Sequence, residues 1–235
     1  MIGAMGSFEY PSADINEPMD CYLHGYVSSR VMNLARAASA PSPPAGTETA
    51  AATAAATATA TEDKKQGLPV CIAASKLDGL VLSLTPYSHS CNYRSAILHG
   101  YASLVTNVDE KLFAMRLMTD SVVAGRWAGT RVPPDGAEMA STAVLKVRVV
   151  GGSGKIRDGG VSDERKDSAD ESVTGRVWTG VVPVWETFGE PVRDGDGGVG
   201  EVPGYLAEFV AGRNAENRAY AEGAVRGSKE GEGDR

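Results

Sequence analysis

Residues Ser88-His89-Ser90-Cys91-Asn92-Tyr93-Arg94-Ser95 put hydroxyls, an amide, an imidazole, a phenol and a guanidinium on one short stretch. Such a set at the entry to a strand suits recognition of a polar cofactor or a phosphate. A guanidinium offers paired, charge-assisted hydrogen bonds to an oxyanion. The same side chains can instead satisfy the backbone of their own loop, so both possibilities stay open at this level. His89, Cys91 and His99 lack paired ligand spacing, and no metal site is expected.

Ser28-Ser29-Arg30 stands at the start of a helical pattern. Free N–H groups and the helix dipole favour an anion there, and Arg30 adds charge. An ordinary serine cap with a solvated arginine is the plainer alternative. Gly151-Gly152-Ser153-Gly154-Lys155 tempts toward a phosphate-binding loop but fails it. Val149 and Ile156 stand where the motif needs glycine and a hydroxyl residue. Lys155 and Arg157 remain able to reach a ligand or to sit solvated. Trp178 beside Gly180, and Arg126-Trp127 after a helical pattern, can wall a flat ring or pack in a core. No Gly-x-Ser-x-Gly elbow and no Gly-x-Gly-x-x-Gly turn after a strand occurs, which leaves serine hydrolases and Rossmann dehydrogenases unsupported.

The elements that must position these residues follow from periodicity. Cys21–His24 reads as a short strand ending at Gly25. Arg30–Ala38 reads as a helix with Val31, Leu34, Ala35 and Ala38 on one face, capped by serine. Val70–Val105 reads as three strands, the first two joined by a Lys76-Leu77-Asp78-Gly79 hairpin turn. Asn107 caps a helix to about Val123, with Leu112, Phe113, Leu117 and Met118 as its buried stripe and Gly125 as its stop. Ala137–Ser141 suits a helical turn. Thr142–Val150 alternates as a half-buried strand, Gly151–Thr174 reads as a polar connection, and Val177–Val184 as a last strand. The order implies an α+β antiparallel barrel rather than a doubly wound parallel sheet.

The boundaries drawn are a domain over 1–188 and a C-terminal tail over 189–235 with a possible helix at 205–220. Within the domain, the Ala/Thr/Pro-rich stretch 39–66 has no large apolar residue to dock and is expected to be a disordered insertion. The final Gly-Ser-Lys-Glu-Gly-Glu-Gly-Asp-Arg is expected to be disordered too. A net charge of −7 argues against nucleic acid and anionic membranes as partners. Three unpaired cysteines, no bilayer-length apolar run and no secretory pattern at the start lead to a cytoplasmic expectation.

Taken in order, several segments resemble one family. They are Tyr22-Leu23-His24-Gly25 with Ser29-Arg30, Leu77-Asp78-Gly79-Leu80-Val81-Leu82, His89–Ser95 and Gly125-Arg126-Trp127. Ser153, Lys155, Arg157-Asp158-Gly159 and Val177–Pro183 complete the set. The chain is similar, over about Tyr22–Val184, to the pyridoxamine 5′-phosphate oxidase-related flavin-nucleotide-binding proteins, whose relatives include nitroimidazole-resistance reductases. The resemblance implies an FMN-binding split β-barrel with flanking helices, usually a homodimer, with FMN between subunits and a small-molecule substrate. It implies that Ser29, Arg30, Ser90, Asn92, Tyr93, Arg94 and Ser95 hold the cofactor and that Lys155, Arg157 and Trp178 close the flavin site. Family members begin with a helix and a strand ahead of the region matched at Met1, so a barrel lacking both, with an exposed edge, is expected. An FMN-dependent oxidoreductase, with no assigned catalytic residue, is the leading expectation. A non-catalytic flavin- or haem-binding module, or a relative without ligand, is the alternative.

Overall fold

The computed structural model describes residues 2–12, 19–39, 67–195 and 200–227. Apart from Ser39, the expected 39–66 insertion lies outside the described residues, as does the end of the chain beyond Gly227.

Two strands open the fold: β1, Ile2–Gly6, and β2, Asp20–Tyr26. Next come α1, Arg30–Ala38, and two long strands, β3 (Leu68–Leu82) and β4 (Ser90–Leu104). After these come α2 (Val108–Val122), α3 (Gly136–Ser141) and β5 (Thr142–Arg157). Short helices α4 (Arg165–Ser168) and α5 (Glu171–Thr174) precede β6, Gly180–Pro183. The last element is α6, Gly204–Arg226, which spans the helix expected at 205–220. The strands form one sheet in the order β1-β2-β5-β4-β3-β6. It is the antiparallel six-stranded sheet with flanking helices of the α+β split-barrel class. Ile2–Gly6 pairs with β2 from His24 to Asp20, so the first residues already belong to the sheet.

The hairpin expected at Lys76–Gly79 does not form; these residues run straight through β3, and two long strands replace three short ones. Asp78 is buried where a turn would have placed it in water. Its carbonyl accepts the N–H of Val184 at 3.0 Å, and Gly79 pairs with Pro183 on β6. A Cβ on Gly79 would sit 3.0 Å from Val181, so the glycine serves close strand approach rather than a turn. Gly151–Lys155 is likewise strand, the far half of β5, and not a connection.

The chain divides into two compact units, 1–72 with 98–152, and 73–97 with 153–235. In the first, both faces of the sheet are covered. Met32 and Ala35 of α1 pack with Cys21, Ala102, Ala143, Leu145 and Val147. Ala114 and Met118 of α2 pack with Tyr22 and Val144. Alternation along β5 therefore divides its residues between two cores, with Val144 and Leu145 both buried. Asn107 caps α2 by accepting from the N–H groups of Asp109 and Glu110. The Tyr22 phenol donates to Glu110 at 2.9 Å, and the Lys146 ammonium bridges Glu110 at 3.0 Å and Asp20 at 3.2 Å. Among the described residues no helix is long and apolar enough to cross a membrane.

Candidate functional site

The second unit contains the middle of β3, the first half of β4 and the far end of β5. Residues 73–77, 96–97 and 153–156 on these strands are exposed. They line a cleft of about 760 Å³. Its walls are Ala74, Ala96, Gly154 and Ile156, with Ser75, Lys76, Arg94 and Ser95 as polar contributors. A Cβ on Gly154 would meet nothing nearer than the Ser95 carbonyl oxygen at 3.9 Å, so that position is open. A second cavity of about 170 Å³ shares Ser75, Lys76 and Arg94 with the cleft and adds Asp78, Trp185 and Asn217.

Arg94 stands in both linings, and its side chain is firmly held. Nε donates to Asp78 Oδ2 at 2.9 Å and Nη2 to Asp78 Oδ1 at 2.7 Å, a bidentate pair. The hydrogen bond to Asp78 keeps the guanidinium protonated above its usual range. Tyr220 of α6 covers one face, with the ring centroid 3.4 Å from Cζ. Asn92, fully buried, donates from Nδ2 to the carbonyls of Gly159 (2.9 Å) and Ala224 (3.0 Å) and accepts from Arg157 at Oδ1. Lys155 lies 5.8 Å from the centroid of the Tyr93 ring, and Ser95 Oγ donates to the Lys155 carbonyl at 3.4 Å. Ser90 opens β4, half-buried.

Eight of the ten residues singled out from sequence thus fall in this unit: Asn92 meets Arg157, Lys155 meets Tyr93 and Ser95, and Arg94 meets Asp78 and Tyr220 instead. Trp178 falls in it as well, two-thirds exposed, with its ring laid over Gly180 so that a Cβ there would sit 2.6 Å from it. Ser29 and Arg30 belong to the other unit. Ser29 holds the N-cap position of α1, but its hydroxyl makes no cap bond, contrary to the expected serine cap. Its Oγ is buried without a partner, while Arg30 is exposed. In the same unit, His24 Nδ1 is also buried without a partner, beside a 300 Å³ cavity lined by Met115, Met118, Thr119 and Val122. His89 Nδ1 lies 2.8 Å from the Thr85 carbonyl. Among the described residues no three of His, Cys, Asp and Glu cluster as metal ligands would.

Sequence reasoning missed Asp78, Tyr220 and the carbonyl of Ala224. Asp78 was hidden by a dipeptide that signals turns, and the other two lie more than 120 residues from their partners.

A family model described as pyridoxamine 5′-phosphate oxidase matches residues 47–156. That span holds β3, β4 and almost all of β5, the strands that carry the cleft. Over these residues the chain is similar to the pyridoxamine 5′-phosphate oxidase-related family. Its fold is shared with the FAD and heme binding protein from Mycobacterium smegmatis, at 23% identity and a TM-score of 0.58 over 81% of this chain and 77% of that one. It is shared too with the flavocytochrome Anf3 from Azotobacter vinelandii, at 22% identity and a TM-score of 0.59 over 88% and 84%. A search of curated proteins finds no match. Identities at this level speak to the fold alone, and the chemistry must be argued from the residues in place.

Proposed function

We propose that this pyridoxamine 5′-phosphate oxidase-related chain binds a flavin, FMN in the first instance, and is an FMN-dependent oxidoreductase acting on a small molecule in the cytoplasm. The observation that carries this is the 760 Å³ cleft of the second unit, apolar on its walls and polar at a few points. Its size and lining are those of a site for a flat organic ring. Bound flavin would supply the hydride or electron chemistry. Ala74, Ala96 and Ile156 keep water from the ring, Gly154 leaves room for it, and Ser75, Ser95 and Lys76 offer hydrogen bonds to its edge. Both known-fold neighbours carry redox cofactors by their descriptions, which supports a flavin.

A homodimer belongs to the same proposal. Leu77, Ile97 and Ile156 are between 39% and 66% exposed on central strands, an arrangement a second copy would cover. Light scattering of the purified chain is expected to give twice the 24.5 kDa monomer mass. The function itself is tested by titrating the full chain with FMN, followed by reduction with a nicotinamide cofactor and reoxidation by candidate acceptors. Saturable binding without turnover would leave a carrier.

Haem binding is the second possibility, favoured by one observation: the unpartnered His24 Nδ1 beside Met115 and Met118, residue types that ligate haem iron. Haemin titration of wild type and His24→Ala decides it, since a Soret shift lost in the variant is required.

A further inference from the structure

Arg94 looks like the natural phosphate ligand of the cleft, yet its contacts point elsewhere. Two of its three nitrogens are taken by Asp78, which is 3% exposed, and one face is covered by Tyr220. The N–H groups left on Nη1 and Nη2 belong to a guanidinium whose charge Asp78 already balances, and pulling it off Asp78 to improve an outside contact would strand a buried carboxylate. The helix that supplies Tyr220 is itself fastened to this unit. Asn214 exchanges hydrogen bonds with both backbone groups of Phe188, and Asn217 donates to the Glu186 carbonyl. Ala224 O accepts from Gly159 N at 2.7 Å as well as from Asn92. Arg94 thus meets the cleft as a charge already balanced, held flat between a carboxylate and a phenol ring.

We infer that Arg94 is a positioning residue and not an anion ligand: with Asp78 and Tyr220 it forms a rigid wall that suits the uncharged ring of a ligand and gives no grip to a phosphate. The C-terminal helix α6 thereby becomes part of the binding site, although only Asn217 of it reaches either cavity lining. This rests on the flavin reading for its ligand, but the state of Arg94 is testable without one.

The probes are FMN, riboflavin (the same ring without phosphate) and inorganic phosphate, used on the full chain. The double variant Asp78→Asn/Arg94→Gln replaces the ion pair with a neutral amide pair. Arg94→Lys keeps a cation against Asp78 and serves if the double variant does not fold. The ratio of FMN to riboflavin affinity is expected to match wild type within twofold in either variant. A tenfold or greater loss for FMN alone overturns the inference. Tyr220→Ala is expected to weaken both flavins by one common factor of about five and to shift the bound flavin's absorption band, with Tyr220→Phe restoring both. Unchanged affinity and band in Tyr220→Ala also overturn it. If wild type binds neither flavin, the flavin reading fails, and the phosphate-dependent rise in melting temperature decides Arg94. An equal rise in wild type and variant supports the inference, and loss of the rise in the variant refutes it.

Discussion

Asn92 shows most plainly how a residue picked for chemistry can be held by the fold. Its amide serves two carbonyls and accepts from Arg157, all in a fully buried setting. Replacing it with alanine strands those groups, so Asn92→Ala should lower unfolding free energy by roughly 2–3 kcal/mol. Urea denaturation with an unchanged slope is the check. The cluster 88–95 was legible as something out of the ordinary because of its residue types alone. What it does locally was not, because the partners of Asn92 lie 65, 67 and 132 residues away and no short-range pattern encodes them. Asp78 is the converse case. Asp-Gly statistics describe what a dipeptide does when nothing else competes, and the half-buried guanidinium of Arg94 opposite competes successfully.

Among the elements, both longer early helices were readable at their ends. Arg30–Ala38 forms over the residues expected, and Asn107 caps α2 as its sequence suggests. Asn107→Ala should cost about 1 kcal/mol, seen as a lowered melting temperature with the fold intact. Strand lengths were less legible. Propensity gives no reason for β3 to cross Lys76-Leu77-Asp78-Gly79; only its pairing with β6 and the Asp78–Arg94 bridge does. Gly100 is another long-range demand invisible in sequence: a Cβ there would come within 2.4 Å of the Arg148 carbonyl oxygen. Gly100→Ala should therefore destabilise by about 1–3 kcal/mol through overpacking, measurable in the same denaturation series.

On the scale of the molecule, pH separates the structural charges from the candidate site. Burial, then the hydrogen bond to Glu110, pushes the Tyr22 phenol well up. Burial alone would pull Lys146 down, but its bonds to Glu110 and Asp20 outweigh that and hold its ammonium above the usual range. Burial, then the charge of Asp20, raises the Cys21 thiol. All three hold protons more tightly folded than unfolded. Their contributions are fully present below their unfolded pKa values and fade above them, from about pH 8.5 for the thiol and about pH 10 for Tyr22 and Lys146. Lys111, whose ammonium burial pushes down, works in the opposite direction. Melting temperature should fall on the alkaline side, and Tyr22→Phe should fall less steeply above pH 10. An identical slope would remove Tyr22 from the explanation.

The central claim is that the cleft between β3, β4 and β5 holds a flavin ring. FMN titration of wild type against Gly154→Leu, read by flavin fluorescence and absorption, tests it most directly. Gly154 has open space around it, so the variant should fold with an unchanged melting temperature. Saturable binding by wild type and at least a tenfold loss in the variant are expected. Equal binding by both, or none by wild type, would contradict the assignment.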